Sequence, residues 1–356
     1  MKFLYLTISF LFVISNSLNA QFYISGIVIN EETGDPIPGV NVYLSGTTIG
    51  ASTDKDGFYN FTTDILGRHD LVVSFIGFKT QIRSIILESK TNIRQNYDLE
   101  PDVLQLNEIR VIASNDKFLR QLDLFKTFFI GFDSNASETF IMNPEVLEFD
   151  EVQNKTRINV DAQSLLIIHN NALGYRYEVE LKEVYFNPQD NTGFYNIYPR
   201  VLELEPSNRR TQRRWNSNRK KSFDGSSRHF FKSLAENRIR RNDFRIFPSE
   251  KVLANYSDSL AHIKRWYPSN WEFITENFNV FMLTSDAVRI EFNQDNNSNI
   301  NQLARPTEVS SLDIRGFPEI IVVNKNGLIF NSAQIELFGH WSNTRFSNFL
   351  PLDYSN

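Results

Sequence analysis

Ile24-Ser-Gly-Ile-Val-Ile-Asn30 opens the stretch of sequence that decides the fold, and three further runs continue it. These runs are Gly34-Asp-Pro-Ile-Pro-Gly-Val-Asn-Val-Tyr-Leu44, Thr53-Asp-Lys-Asp-Gly-Phe-Tyr-Asn-Phe61 and Leu71-Val-Val-Ser-Phe-Ile-Gly-Phe78. Short β-branched and aromatic runs alternate here with Gly, Pro and Asp-Gly breaks about every ten residues, a spacing typical of a small all-β sandwich. The stretch therefore predicts a β-sandwich near the start of the chain.

Seven strands are expected in this unit, at about residues 22–30, 40–46, 48–53, 58–63, 69–77, 79–87 and 93–99. In the second of them, Val40, Val42 and Leu44 recur at every other position, which predicts one buried face. The alternating residues Asn41, Tyr43 and Ser45 are expected to face water. Asp56-Gly57 suits a tight turn, because glycine adopts positive φ at low cost.

Five motifs occur in this region in a fixed order. They are Gly26-x-Val28, Thr33-Gly34-x-Pro36-Ile37-Pro38-Gly39-Val40-Asn41-Val42, Gly46-Thr47, Thr53-Asp54-x-Asp56-Gly57-x-Tyr59 and Phe75-Ile76-Gly77-Phe78. Together they resemble the carboxypeptidase-like regulatory domain over about residues 22–100. The resemblance implies a prealbumin-like β-sandwich that is not itself catalytic. It also implies a Gram-negative envelope setting, where the module occurs as the N-terminal extension of TonB-dependent outer-membrane receptors.

Leu106-Asn-Glu-Ile-Arg-Val-Ile112 is similar to the short segment that follows this module in those receptors. About 240 residues remain after it, which is too few for a plug and a large barrel. A complete transporter is therefore not expected.

The first 20 residues predict export. Lys2 precedes an apolar run from Phe3 to Ile14, and Leu18-Asn-Ala20 suits signal cleavage before Gln21. A membrane anchor is the competing interpretation, but a bilayer crossing needs about 20 apolar residues. The chain contains no cysteine, so we expect neither disulfides nor the acylated cysteine of a lipoprotein. The expected location is the periplasm or the outer membrane.

Residues 101–114 are expected to form a linker, and residues 115–356 a β-rich α+β domain of unknown function. Apolar residues such as Phe118, Leu122 and Phe125 recur at three- and four-residue steps, which predicts an amphipathic helix at 116–131. Further strands are expected at 146–152, 157–160, 165–169, 175–186, 194–204, 278–283, 288–292, 309–314, 319–323, 328–330 and 334–338. The predicted fold class is therefore mainly β.

The longest of these strands, 175–186, is expected to have one face exposed to solvent. Tyr175, Tyr177 and Val179 lie on its apolar side, whereas Glu178 and Glu180 alternate with them. The same alternation continues through Lys182.

The most strongly charged segment lies between Pro206 and Arg245, where thirteen Arg or Lys accompany three acidic residues in a chain of net charge −5. Its candidate anion-binding residues are Arg209, Arg210, Arg213, Arg214, Trp215, Arg219, Lys220 and Lys221. Such a tract attracts polyanions by counterion release. In an exported protein these are envelope phosphates, acidic glycans or lipid headgroups rather than nucleic acid. A solvated helix and loop, salt-bridged to the acidic remainder, is the alternative interpretation.

Signatures of metal and cofactor binding are weak. Asp54 and Asp56 alternate before a glycine as in a calcium loop, but the twelfth residue of such a loop would be Ile65, which cannot ligate. None of the five histidines has the spacing of a zinc peptidase. We therefore expect a structural turn at Asp56-Gly57 and no cofactor.

Signatures of catalysis are equally weak. Asp224, Ser226 and His229 contain the residue types of a hydrolase triad, but the Gly-x-Ser-x-Gly elbow is absent. Ser226 or Ser227 suits the N-cap of a helix that continues to about Ile239.

The sequence thus predicts an exported, non-catalytic envelope module with a binding or structural role. Its expected partners are an envelope protein, a glycan or the anionic outer-membrane surface. Two alternatives stay open. One is a glycan-acting hydrolase that uses a carboxylate pair in the C-terminal region; the other is an outer-membrane-associated component related to TonB-dependent receptor systems.

Overall fold

The computed structural model describes residues 21–88, 92–102, 116–152, 156–247, 253–267, 269, 271–283, 288–292, 308–315 and 319–355. The predicted signal peptide, the segment 106–112 and most of the predicted linker lie outside these residues. The described chain is mainly β, as predicted. None of its described helices combines the length and hydrophobicity that a membrane crossing requires.

The N-terminal domain, residues 21–102, is the predicted β-sandwich. One sheet has the order β4-β1-β7, with β8 also paired to β1, and the other has the order β3-β2-β5-β6. Ile24, Val42 and Leu71 pack between them. The strands are β1 (Phe22–Asn30), β2 (Asn41–Leu44), β3 (Gly50–Ser52), β4 (Phe58–Thr63), β5 (Gly67–Ser74), β6 (Gln81–Leu87), β7 (Asn92–Arg94) and β8 (Tyr97–Leu99).

The seventh predicted strand, 93–99, is divided into β7 and β8, so the domain has eight strands rather than seven. The division falls at Gln95-Asn96. There the side-chain Oδ1 of Asn96, rather than a backbone carbonyl, accepts a hydrogen bond from the N–H of Ile27 at 3.1 Å. The ladder with β1 is interrupted at this point and resumes in the same register.

The middle unit packs one helix on one antiparallel sheet. The sheet order is β10-β11-β13-β12-β9, with β14 paired to β13. Phe125, Phe128 and Phe129 of the helix are fully buried against it, which confirms the predicted amphipathic helix. The elements are α1 (Asp116–Phe129), β9 (Thr139–Ile141), β10 (Leu147–Glu151), β11 (Ile158–Ala162), β12 (Leu166–Asn170), β13 (Tyr175–Asn187) and β14 (Thr192–Glu203).

The C-terminal unit contains two sheets, of order β15-β18-β19-β21 and β16-β17-β20. Apolar residues of both sheets and of α3 form one core, and α4 and α5 cover the other face of the second sheet. The elements are α2 (Arg209–Phe223), α3 (Ser227–Ala235), β15 (Phe244–Phe247), β16 (Leu253–Asn255), α4 (Leu260–Trp266), α5 (Trp271–Asn277), β17 (Phe278–Leu283), β18 (Val288–Phe292), β19 (Glu308–Ile314), β20 (Ile320–Asn324), β21 (Ile335–Gly339) and α6 (His340–Asn343).

The predicted strand at 328–330 is reduced to a single bridge between Val323 and Ile329. A tight turn precedes this bridge: the N–H of Gly327 donates to the carbonyl of Asn324 at 3.0 Å, and Gly327 has φ of +80°. Two backbone hydrogen bonds flank this bridge: the N–H of Asn324 donates to the carbonyl of Leu328 at 3.0 Å, and the N–H of Phe330 donates to the carbonyl of Val322 at 2.8 Å. The next strand, β21, pairs with β19 instead.

The N-terminal domain and the middle unit are in contact through two strand faces that the sequence predicted to be exposed to solvent. Tyr43 of β2 is only 1% exposed and donates its hydroxyl to the carbonyl of Tyr198 at 3.2 Å. Glu178 of β13 is buried, and Glu180 accepts a hydrogen bond from Thr80 at 2.9 Å. The prediction of solvent exposure was wrong for these positions, because each strand's polar face is covered by the other unit.

The last residues, 346–354, form a C-terminal strap that contacts all three units. Phe346 is 2% exposed and stacks on Phe129 of α1, with ring centroids 4.9 Å apart. The N–H of Leu352 donates to the carbonyl of Gly46 in the N-terminal domain at 2.8 Å. Arg228 of α3 donates to the carbonyl of Pro351 at 2.7 Å. The strap therefore ties the units together in the absence of disulfides.

Candidate functional site

The predicted anion-binding residues lie on α2, a fifteen-residue helix. Asn208 caps its N-terminus, since its side-chain Oδ1 accepts from the N–H of Thr211 at 2.9 Å. Lys220 and Lys221 lie in the last turn, where cations are favoured by the helix dipole. The eight candidate residues therefore lie on one capped helix, and the basic tract continues beyond it through α3 to β15.

One face of α2 docks on the turn between β12 and β13. Trp215 is buried, and its Nε1 donates to the carbonyl of Asn171 at 2.8 Å. Arg219 is also buried, and its Nε donates to the carbonyl of Leu173 at 2.8 Å. Its guanidinium lies 4.0 Å from the centre of the Tyr175 ring and pairs with Glu203 at 2.9 Å. Trp215 and Arg219 thus anchor the helix.

The opposite face of α2 is cationic and exposed. With 3.6 residues per turn, positions spaced by three, four and seven residues return to the same side, and six basic residues share this side. We call it the cationic face: Arg209, Arg210, Arg213, Arg214, Lys220 and Lys221, all exposed.

Two members of the cationic face have acidic partners. Arg214 pairs with Glu138 at 2.8 Å, and Lys220 pairs with Asp224 at 2.7 Å. Within the described residues, the side chains of the other four form neither an ion pair nor a hydrogen bond. These four are Arg209, Arg210, Arg213 and Lys221. The salt-bridged interpretation therefore describes only Arg214 and Lys220 on this face.

Asp224, Ser226 and His229, the residue types of a hydrolase triad, each bond to neighbouring groups. Ser226 caps α3, because its Oγ accepts from the N–H of His229 at 3.1 Å, which confirms the predicted N-cap. Nδ1 of His229 accepts from the N–H of Gly225 at 3.1 Å, and Asp224 pairs with Lys220. Burial lowers the pKa of His229 to about 4. Ser226 and His229 thus bond to each other at the start of α3, whereas Asp224 lies at the end of α2.

The Asp54–Gly57 segment forms the expected turn. Oδ1 of Asp54 accepts from the N–H groups of Asp56 and Phe58, both at 2.9 Å, and Gly57 has φ of +71°. Across the described ranges, no group of three or more acidic or histidine side chains is arranged to hold a metal ion.

A polar pocket of about 360 Å³ lies between the C-terminal end of α2, the loop at 132–135 and α6. Burial, and then the charge of Asp224, raise the pKa of Glu308 in this pocket to about 7. Nε2 of His340 lies 3.2 Å from Oε2 of Glu308, yet that oxygen has no hydrogen-bond partner within the described residues. No local pattern in the sequence marks Glu308, because its burial depends on segments far apart in the chain.

Comparison with known proteins assigns the N-terminal domain. The model of the CarboxypepD_reg-like domain family matches residues 24–111, which confirms the resemblance seen in the motifs. A TonB-dependent receptor of Formosa agariphila is 38% identical over 102 residues, 29% of this chain and 9% of the receptor. TonB-dependent receptor SusC of Bacteroides thetaiotaomicron is 35% identical over 112 residues, 32% of this chain and 10% of the receptor. The matched region thus spans about a tenth of the length of these relatives.

Among solved structures, a chain in a type II cohesin–X–dockerin complex from Acetivibrio cellulolyticus is similar over 21% of this chain and 52% of its own. The sequence identity is 19% and the TM-score is 0.19. A TM-score of this size does not indicate a shared overall fold.

Proposed function

We propose that this chain, whose residues 24–111 match the CarboxypepD_reg-like domain family, is a non-catalytic module of the bacterial envelope that contacts an anionic envelope surface through α2. Its matched relatives are TonB-dependent receptors, which supports an envelope location, as does the predicted signal peptide. The observation that carries the proposal is the cationic face, with four unpaired cations on one side of a single helix among the described residues.

The contact is electrostatic. The cationic face contains no apolar side chain that could insert between lipid tails, and Asn216 and Ser217 are the residues between its cations. An anionic leaflet attracts basic residues near its surface by about 1 kcal/mol each, within a Debye length of about 8–10 Å. Four unpaired cations are therefore sufficient for weak, salt-sensitive association.

The helix is held rigidly enough to present these cations together. Trp215 and Arg219 fix its inner face to the turn before β13 through the contacts described above. Nδ2 of Asn218 adds a hydrogen bond to the carbonyl of Ala172 at 2.9 Å. The arginines therefore do not have to be ordered from a disordered segment upon binding, which lowers the entropic cost of association.

Sedimentation with vesicles tests the proposal. We expect the full chain to bind vesicles of phosphatidylethanolamine and phosphatidylglycerol, and not vesicles of phosphatidylcholine. The test variant replaces Arg209, Arg210, Arg213 and Lys221 by Gln. At about 1 kcal/mol per cation, its partition coefficient should be at least tenfold lower.

The matched control carries the same change of charge elsewhere. It replaces Arg68, Arg94, Arg120 and Arg245 by Gln, four exposed arginines without a partner in the described part of the chain. It should bind like the unmodified chain. Equal weakening in both variants would indicate a dependence on net charge alone and would remove α2 as the binding site.

A second candidate function, the carboxylate-pair hydrolase, is favoured by one observation. Glu308, with its raised pKa, lines the same polar pocket as Asp224, as a general acid and a second carboxylate would. Incubation with purified peptidoglycan, followed by a reducing-end assay, tests it. Reducing ends released by the full chain and lost in both Glu308→Gln and Asp224→Asn would support this candidate, and no release would count against it.

A further inference from the structure

A cleft of about 720 Å³ separates the N-terminal domain from the middle unit. This volume is within the range of small-molecule sites, roughly 300–1,000 Å³. One wall is the segment 75–80 of the N-terminal domain, and the other comprises β13 and the turn that joins β11 to β12. We call this space the interdomain cleft.

The two walls are fixed relative to each other by backbone contacts beside the cleft. The N–H of Gly46 donates to the carbonyl of Pro199 at 2.7 Å, and the N–H of Val201 donates to the carbonyl of Thr47 at 3.1 Å. The hydrogen bond between Thr80 and Glu180 crosses the cleft itself. The cleft is therefore preformed, so a ligand need not organise it.

The charged residues that line the interdomain cleft are all carboxylates: Asp102, Glu148, Asp161, Glu178 and Glu180. Phosphates and other anions are repelled by this lining. Several of these carboxylates already accept hydrogen bonds from neighbouring side chains. Glu178 is paired with Arg176 and Arg200 at 2.9 and 3.0 Å, and Glu148 accepts from Nε2 of Gln163 at 2.6 Å.

Apolar surface lies beside these hydrogen-bonding groups. Ile76 is 82% exposed, the largest fraction among the exposed large hydrophobic residues of the described chain. Phe75 and Phe78 flank it in sequence, with ring centroids 5.9 Å apart. Gln163 and Ser164, both exposed, face the cleft from the opposite wall. The lining thus combines an apolar surface, formed by Phe75, Ile76 and Phe78 and called the ledge below, with uncharged hydrogen-bond donors and acceptors.

We propose that the interdomain cleft binds an uncharged oligosaccharide. A pyranose ring has an apolar face that packs on the ledge of Phe75, Ile76 and Phe78, and a rim of hydroxyls that bonds to amides, hydroxyls and carboxylate oxygens. The carboxylates accept from sugar hydroxyls without needing a cation. This site is separate from the cationic face of α2 and does not depend on it.

Calorimetric titration of the full chain with neutral tetrasaccharides tests the proposal. The probes are cellotetraose, laminaritetraose, maltotetraose, mannotetraose, xylotetraose and N-acetylated chitotetraose. Deacetylated chitotetraose and tetragalacturonic acid are the cationic and anionic comparisons. We expect saturable binding of at least one neutral probe and no binding of the anionic one.

The variant Ser164→Trp places a large side chain at the exposed turn and obstructs the cleft without removing a contact. It should weaken binding of the neutral probe at least tenfold and leave vesicle binding unchanged. Leu119→Trp, at an exposed position of α1, is the control for added bulk and should bind normally. Failure of every neutral probe to bind, binding of the cationic probe alone, or undiminished binding by Ser164→Trp would each overturn the proposal.

Discussion

The indole of Trp215 lies against the backbone of Gly174 so closely that a β-carbon at position 174 would come within 2.2 Å of Cδ2 of the ring. Gly174 also has φ of +72°. The glycine is thus required twice, once by its backbone conformation and once by the close approach of the helix. This contact fixes α2, and with it the cationic face, on the middle unit.

The first prediction concerns this contact. Gly174→Ala adds left-handed backbone strain and overpacking against Trp215, and should lower the free energy of unfolding by roughly 2–5 kcal/mol. Gly34→Ala is the control, because Gly34 has φ of +74° but a β-carbon added there would meet nothing within 4 Å. It should lose only about 1–2 kcal/mol. Urea unfolding measures both, and equal losses would show that Trp215 does not press on position 174.

The second prediction separates the two faces of α2. Arg219→Ala leaves the carbonyl of Leu173 without its donor and should lower the free energy of unfolding by roughly 1–3 kcal/mol. Arg213→Ala changes an exposed side chain and should alter stability by less than about 0.5 kcal/mol while weakening binding to anionic vesicles. Thermal unfolding and vesicle sedimentation should therefore respond to different variants. A stability loss in Arg213→Ala as large as in Arg219→Ala contradicts the assignment of faces.

The third prediction concerns the C-terminal strap. Phe346 is buried among Phe129, Tyr177 and Phe349, with centroids 4.9 to 5.3 Å from its own. Phe346→Ala should therefore lower the free energy of unfolding by about 3–5 kcal/mol. Phe132→Ala removes a ring that is 81% exposed and should change it little. If Phe346→Ala also proves nearly neutral, the packing of the strap on the middle unit does not stabilise the fold.

The fourth prediction is a pair of opposite pH dependences. The folded pKa of His229 is about 4, below its ordinary 6.5, chiefly through burial and despite Asp224. Between these pH values the unfolded chain binds more protons, so stability falls as the pH drops. The folded pKa of Glu308 is about 7, above its ordinary 4.5, through burial and Asp224. The folded chain then binds more protons, so stability falls as the pH rises from 4.5 to about 7.

Each group contributes a slope of at most about 1.4 kcal/mol per pH unit, and the two slopes oppose each other where the windows overlap. In Glu308→Gln, the stability should rise more steeply with pH across this overlap than in the unmodified chain. In His229→Gln, it should fall. Urea midpoints recorded from pH 4.5 to 6.5 distinguish the two. Parallel curves for both variants would mean that these groups are not perturbed in opposite directions.

Local sequence patterns predicted a helix or strand well where its apolar face packs in the core of its own unit. The alternation of Val40, Val42 and Leu44 marked a buried strand face, and the spacing of phenylalanines in 116–129 marked α1. The turn at Asp56-Gly57 follows from residue chemistry alone. A periodic pattern shows that two faces differ, but not what covers the second face. Tyr43 and Glu178 were therefore misplaced, since each is covered by a different unit.

The candidate sites were predictable only in part, for the same reason. The density of Arg and Lys marked α2, but the division between anchoring Arg219 and exposed Arg213 depends on which side meets the turn at Leu173. The interdomain cleft combines Ile76 with Gln163, 87 positions apart in the sequence, and no local motif connects them. The raised pKa of Glu308 likewise depends first on burial and then on Asp224, which lies on another segment.

The most direct test of the central claim uses the absence of cysteine from the chain, which allows one fluorophore to be placed at a chosen site. Ser217→Cys lies at the middle of the cationic face, and Thr127→Cys lies on the exposed side of α1. An environment-sensitive dye at position 217 should shift to shorter wavelength when phosphatidylglycerol-containing vesicles are added, and salt should reverse the shift. The dye at position 127 should not respond. A shift at position 127 with none at position 217 would contradict the claim that α2 is the surface that meets the membrane.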